Sequence, residues 1–376
     1  MTAITSTASP QAVSQSLAHG PLGRALLLAD RARRGTADPR DAHAVLSGIG
    51  PLVDGPTASL FFGAPAMTWV LHIASADTGR YAGPLLRLDS VVNNIVQQRL
   101  VAAHARIDAG TLPVFAEYDL LRGLTGLAIL LLHRQPLGPQ TKPLLDYLVR
   151  LTRPLPGPHG AQVPGWWVSH GPLLTDDLPG GHANSSISHG ISGPLAVLAL
   201  AGRAGITVDG HEEAIRRICH WLDSTENMDA RGVRWARYQS LSGLTAPAPP
   251  SWCYGTPGIA RAMQLAALVT DDRERQLKAE RAIVHHLADP AELDRITDNG
   301  LCHGFAGVLR TVQRAGQDAT DSDGFTQCTQ QLRNKMEQHR NPEEPGFLTG
   351  STGTALVAET GDFDSLGQWD SCLLLA

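Results

Sequence analysis

Long apolar runs are missing from this 376-residue chain. The most uniformly apolar segments, Gly126–Leu132 and Gly193–Ala201, are about half of the ~20 residues that a membrane-spanning helix requires. They read as core helices, and direct membrane insertion is excluded. An excess of basic charge is missing too: 31 Lys and Arg against 36 Asp and Glu give a formal charge of −5 and no drive toward nucleic acid or an anionic bilayer. Aromatic residues make up only 5% of the chain, so a core drawn from its 43% hydrophobic content must pack small apolar side chains closely, as helical arrays do. The first 18 residues are rich in Ser, Thr and Ala and lack the basic-then-apolar order of a secretory signal, which makes the chain cytoplasmic. Cysteine is scarce and odd in number. Five cysteines in a long cytoplasmic chain favour thiol or metal chemistry over a disulfide framework.

What is present is a repeat. A Gly, two residues, then Gly or Ala and an apolar stretch recur seven times: Gly20-Pro-Leu-Gly23, Gly63-Ala-Pro-Ala66, Gly123-Leu-Thr-Gly126, Gly190-Ile-Ser-Gly193, Gly255-Thr-Pro-Gly258, Gly304-Phe-Ala-Gly307 and Gly350-Ser-Thr-Gly353. The starting glycines are 43, 60, 67, 65, 49 and 46 residues apart, enough in each case for a pair of helices. Stretches such as Leu195–Ala201 are apolar around the whole circumference, as a helix surrounded by other helices must be. Between them lie one-sided patterns, with Ile215, Ile218, Cys219 and Leu222 beside Glu212, Glu213, Arg216 and Arg217. The pattern predicts an all-α fold, an α/α toroid (double α-barrel) of about seven inner and seven outer helices spanning 16–376 after a flexible 1–15. Glycine at each inner start would permit a tight entry turn and close approach of neighbouring backbones. The longer intervals leave room for insertions, and 154–186, rich in Pro and Gly with a short strand expected at Trp166–Ser169, reads as a small irregular or β-containing flap over one end.

Reactive side chains fall at equivalent places just before the repeat glycine. Cys253 precedes Gly255 by two, Cys302 precedes Gly304 by two, His303 by one, His189 precedes Gly190 by one, and Asp119 precedes Gly123 by four. In a closed toroid equivalent positions share one rim, so these residues should converge. Two thiolates and an imidazole suit one Zn2+ per chain, with a fourth position left for water or substrate. Cys253, Cys302 and His303 are therefore the expected metal ligands. Their sequence spacing gives no help, since 49 residues separate the cysteines and only the closure of the toroid can unite them. Cys219, Cys328 and Cys372 have no such placement and read as structural, and His19, which also precedes a repeat glycine, reads as a packing or surface residue. A Cys–His nucleophilic dyad is a weaker reading, because adjacent side chains point apart and a second Cys holds the matching position.

Trp252-Cys-Tyr-Gly-Thr-Pro-Gly258, Cys302-His-Gly304 and Ser188-His-Gly-Ile-Ser-Gly193 resemble the signature segments of LanC-type lanthionine cyclases, the lanthionine synthetase C-like family. Asp119–Gly126, Gly346–Gly350 and Trp369–Leu375 extend the resemblance over nearly the whole chain. It implies zinc held by the two cysteines and the histidine, His189 and Asp119 as the acid/base pair, and Tyr254 lining the substrate site. The implied substrate is a dehydrated precursor peptide, leader plus core. The implied reaction is intramolecular Michael addition of peptide Cys thiols to dehydroalanine or dehydrobutyrine, giving lanthionine or methyllanthionine thioether rings. A separate dehydratase would supply that peptide, since the repeats consume the chain, and a transporter complex is a further implied partner. One departure stands out: the family pattern carries an Arg shortly before the Trp-Cys-Tyr-Gly segment, where this chain has Ala246-Pro-Ala-Pro-Pro250.

Two other functions fit parts of the pattern. A zinc-dependent prenyltransferase also presents a metal-bound thiolate, but would want a basic cluster for a diphosphate, and Arg122 is the main basic residue expected near the rim. A LanC-like protein without cyclase activity, binding glutathione or a peptide thiol, would want a closed four-ligand site, with Cys372 or His182 as the fourth ligand.

Overall fold

The structure is a computed structural model that describes residues 14–75, 78–172, 178–229, 232–361 and 368–376. A helix starts at every one of the seven glycine motifs. These inner helices are α1 (Pro21–Arg33), α3 (Ala64–Ser75), α6 (Leu124–Arg134), α8 (Ser192–Arg203), α10 (Thr256–Thr270), α13 (Phe305–Gln317) and α15 (Ser351–Glu359). The apolar part of α6 and of α10 is buried on all sides: every residue from Leu124 to Leu131 and from Thr256 to Ala267 lies in the interior. Each inner helix packs on the next, and α15 packs back on α1, which closes the ring.

The one-sided segments form the outer helices α2 (Pro39–Ser47), α4 (Ala82–Asp108), α7 (Thr141–Leu151), α9 (His211–Ser224), α11 (Arg273–Ala288) and α14 (Asp323–Gln338). Single-turn helices α5 (Phe115–Tyr118) and α12 (Pro290–Leu293) sit in the connections. Among the described residues six outer helices follow the first six inner ones. After α15 the described chain resumes in a 3-10 turn at Gln368–Leu373 whose Trp369, Asp370 and Cys372 are buried, so this segment turns inward rather than lying on the outer layer. Residues 1–13 of the expected N-terminal extension lie outside the described residues.

The glycine pairs have a common steric cause. A Cβ on the first glycine would lie 2.1 Å from the Asp119 nitrogen at Gly123, 2.3 Å from the Ser251 nitrogen at Gly255, 2.3 Å from the Gly300 nitrogen at Gly304 and 2.2 Å from the Gly346 nitrogen at Gly350. In each case the obstructing atom belongs to the residue four positions earlier. A Cβ on the second glycine would meet the carbonyl oxygen six positions earlier, at 1.8 Å from Leu301 for Gly307 and 1.9 Å from Trp252 for Gly258. The backbone that approaches each inner helix is thus its own entry loop folded over its first turn, not a neighbouring helix. Gly23 is less confined, with 3.1 Å to the Leu17 oxygen, and the second motif carries Ala66 at the matching position.

These folded-over loops are linked around the rim by backbone hydrogen bonds. The Leu17 N–H donates to Phe61 O, Leu120 to Ser188, Ile187 to Cys253, Cys253 to Cys302, Cys302 to Leu348, and Phe347 back to Ala18. Small sheets cover this end as a flap. The stretch 154–186 contributes β1 (Leu155–Pro156) paired with β2 (Gln162–Val163), and β3 (His182–Asn184). The strand expected at Trp166–Ser169 reduces to a single bridge between Val168 and His182, because Trp166 and Trp167 turn inward and are buried. A second insertion, unforeseen from sequence, supplies β4 (Glu226–Asp229), β5 (Gly232–Trp235), β6 (Tyr238–Ser240) and β7 (Gly243–Leu244), with β6 pairing β3. No helix among the described residues is long and apolar enough to cross a membrane.

Candidate functional site

The entry loops position every reactive side chain singled out above. The direct bond from the Cys253 N–H to the Cys302 carbonyl, 3.1 Å, joins two rim loops distant in sequence and places the cysteines side by side. The Sγ atoms of Cys253 and Cys302 and a ring nitrogen of His303 lie within 4.8 Å of one another. Zn2+ bonds to sulfur at ~2.3 Å, so three donor atoms this close could share one such ion. The histidine is already divided between two tasks. Its Nε2 lies 3.2 Å from Asp298 Oδ2, whereas its Nδ1 is buried with no hydrogen-bond partner. Such an orphaned nitrogen beside two sulfurs fits a soft or borderline cation.

The electrostatics of the three groups point the same way. The Cys302 thiol donates to the Cys253 sulfur and holds Cys253 down at about 7, against burial, with help from nearby His303. The same bond, burial and the charge favoured on Cys253 push Cys302 well up, so the two sulfurs share one proton that a cation would displace. The Asp298 carboxylate raises the pKa of His303, and His303 in turn lowers that of Asp298 against its burial. Asp298 went unnoticed in the sequence because it lies six residues before its repeat glycine, outside the short stretch where the other reactive residues occur.

Beside the cluster, His189 Nδ1 meets Asp119 Oδ2 at 2.6 Å. Asp119 is fully buried, with its other oxygen accepting from the Arg122 and Gly123 N–H groups at 2.6 and 2.8 Å. That fold of the loop, enforced at Gly123, is what fixes the carboxylate. His189 receives further support where its N–H donates to Ser186 Oγ, and its ring lies between Phe115, 6.1 Å away, and Tyr254, 5.8 Å away. Burial and the neighbouring Cys253 push the Tyr254 phenol well up, so it stays neutral. Phe115, on α5, had no repeat position by which the sequence could reveal it. Arg237 is likewise new to the site, its guanidinium carbon 5.1 Å from the centre of the Tyr254 ring.

The remaining candidates lie apart. Cys219, Cys328 and Cys372 are buried free thiols, with burial raising Cys219 to about 12 and Cys328 to about 11. Among the described residues neither Cys372 nor His182 joins the ligand cluster. His182 instead pairs through β3 with β6 and packs edge-on to Tyr238.

A family model described as Lanthionine synthetase C-like protein matches residues 11–374. The chain is 21% identical over 340 residues to the Nisin biosynthesis protein NisC of Lactococcus lactis subsp. lactis, an alignment that covers 85% of this chain and 78% of that protein. The solved structure of a nisin cyclase superposes with a TM-score of 0.74 at 19% identity, covering 96% of this chain and 92% of that one.

Proposed function

The chain belongs to the lanthionine synthetase C-like family, and from that premise we propose that it is a zinc-dependent cyclase that closes thioether rings in a dehydrated precursor peptide. The observation that carries this reading is the juxtaposition, on one rim of the toroid, of a three-ligand Cys253–Cys302–His303 cluster and a hydrogen-bonded His189–Asp119 pair. Three protein ligands leave one tetrahedral position open, which distinguishes a site for chemistry from a closed structural one.

Zn2+ bound there would supply Lewis acidity that holds a peptide Cys as thiolate at neutral pH. Addition of that thiolate forms an S–C bond at the β-carbon of dehydroalanine or dehydrobutyrine, and the double-bond pair moves onto the neighbouring carbonyl as an enolate. His189 then delivers a proton to the α-carbon. Asp119 fixes its Nδ1, so the proton in play is on Nε2, which has no hydrogen-bond partner among the described residues. The same imidazole can collect the proton released by the thiol, so the reaction consumes and produces none. Phe115 and Tyr254 confine the ring, and the two protein thiolates keep the site electron-rich. A separate dehydratase, leader recognition, a transporter complex and a cytoplasmic setting belong to this same proposal.

Cyclisation of a synthetic peptide containing one dehydroalanine and one Cys, followed by mass spectrometry after thiol alkylation, tests the reading. Cys302→Ala should lose zinc and cyclisation together, whereas His189→Asn should retain zinc and lose turnover by roughly 10²- to 10⁴-fold, the usual worth of a general acid. Retained cyclisation by zinc-free Cys302→Ala protein would overturn it. A zinc-loaded wild type that binds the peptide without closing a ring would instead establish the non-catalytic, thiol-binding alternative.

A further inference from the structure

The acid–base pair and the ligand cluster account for the nucleophile and for the proton, but not for the charge that appears between those two events. Addition of a thiolate places a negative charge on the carbonyl oxygen of the dehydroamino acid, in a site that already holds the buried Asp119 carboxylate. Another anion there is disfavoured unless a cation or a strong donor faces it.

The second insertion carries one. Arg237 lies just before β6, on the flap, and its guanidinium carbon sits 5.1 Å from the centre of the Tyr254 ring, which is itself 5.8 Å from the His189 ring. Tyr254 is therefore a shared neighbour of the proton donor and of this cation, and it follows the ligand Cys253 directly in sequence. The backbone of Arg237 is anchored to the same loop as His189: the Ser185 N–H donates to Arg237 O at 3.0 Å, the Ser186 hydroxyl accepts from the His189 N–H, and Asn184 pairs with Tyr238. The side chain itself is exposed, and among the described residues it has neither a carboxylate nor a hydrogen-bond partner. Most other arginines near this rim are committed. Arg99, for example, spends its guanidinium on the carbonyls of Ala116 and Arg122, whereas the exposed Arg122 side chain, uncommitted as well, lies over no ring among the described residues. An arginine held over an aromatic face with all five of its N–H groups unspent is a donor fork awaiting an anion.

We propose that Arg237, aimed by the Tyr254 ring, stabilises the enolate oxygen formed during thioether addition, so that the flap is part of the reaction machinery as well as a cover. The inference rests on the cyclase reading, and the experiment separates the two. Wild type, Arg237→Ala and Arg237→Lys are compared on the single-ring dehydroalanine–Cys peptide, with zinc content and with affinity of zinc-stripped protein for the same peptide as readouts independent of turnover. The expected result is a fall in kcat of about 10- to 100-fold for Arg237→Ala, within the range known for loss of one preorganised donor. Peptide KM and zinc content should stay within twofold, Arg237→Lys should recover part of the rate, and added ethylguanidinium should raise the rate of Arg237→Ala but not of wild type. A wild type that cyclises beside an Arg237→Ala protein within twofold of it overturns this inference and leaves the cyclase reading standing. Equal losses in Ala and Lys variants, expressed in KM and in binding to zinc-stripped protein, would make Arg237 a packing residue and also overturn it. A zinc-loaded wild type without cyclisation fails both.

Discussion

The nitrogen with which His303 would meet a cation is chosen by Asp298, a residue with no ligand position of its own. Its carboxylate engages Nε2 at 3.2 Å, while its other oxygen accepts from the Gly300 N–H at 2.7 Å, so the acid is itself held by the entry loop of α13. Outer-shell partners of this kind set the tautomer and raise ligand basicity. Asp298→Ala is therefore expected to weaken zinc binding about 10- to 100-fold, with the fold and the Cys253–Cys302 pairing retained. Competition against a chromophoric chelator measures the affinity, and an unchanged value would show that Asp298 is only a surface neighbour. At this scale the sequence was informative for side chains at a repeat position, such as Cys253, Cys302, His303, His189 and Asp119. Asp298, Phe115 and Arg237 were hidden, because each reaches the rim from a place that no period marks.

At the scale of an element, the entry loop and the first turn of its inner helix form one unit held together by two glycines. The obstruction at the second glycine is backbone, so it cannot be relieved by a side-chain rotation. Gly307→Ala would put a methyl carbon 1.8 Å from the Leu301 oxygen, in the loop that presents Cys302 and His303. We expect this variant to lose more than about 3 kcal/mol in urea unfolding or to fail to fold, as strain and overpacking of a rigid site do. Gly23→Ala, whose nearest contacts are at 3.1 Å, should cost about 1–2 kcal/mol at most. Similar penalties at the two positions would mean that the loops yield easily and that glycine is there for another reason. The flap shows the opposite relation between sequence and element. Trp166 and Trp167 have the composition of a strand, yet burial of both rings draws them into a turn, while the segment from Glu226 to Leu244 pairs as strands with little regular alternation to announce it.

For the whole molecule, the inward C-terminal turn ties the last repeat to the ring. Asp370, fully buried, accepts from Arg310 Nε and Arg314 Nε at 2.7 Å each, while Arg261 donates to Leu375 O and Trp252 Nε1 to Leu373 O. The Trp252 bond links this segment to the residue next to Cys253. Burial alone would raise the Asp370 pKa, but Arg310 and Arg314 bring it below the usual carboxylate value. A depressed folded pKa contributes stability that is complete above the unfolded value near 4 and is lost as pH falls through the lower folded one. Asp370→Asn should thus cost about 3–5 kcal/mol at pH 7, since two arginines lose their buried counter-charge. The gap to wild type should narrow only in strong acid. Urea titrations at several pH values measure both quantities, and a loss below 1 kcal/mol would show that the turn is not a structural tie.

The sequence by itself determined the all-helical ring, the inner and outer alternation, and which reactive residues share a position in the repeat. That information is local and periodic: apolar circumference marks an inner helix, and a Gly-x-x-Gly start marks an entry loop whose backbone must pass within van der Waals distance of the first turn. Only the tertiary structure decided what stands opposite those residues. The Cys253–Cys302 backbone bond, the Asp119 carboxylate on His189, the unpartnered Nδ1 of His303 and the placement of Arg237 over Tyr254 all depend on contacts across 17 to 70 positions of sequence, or on the way a loop folds back over itself. Those contacts are set by ring closure and by insertions, whose lengths and folds follow no period.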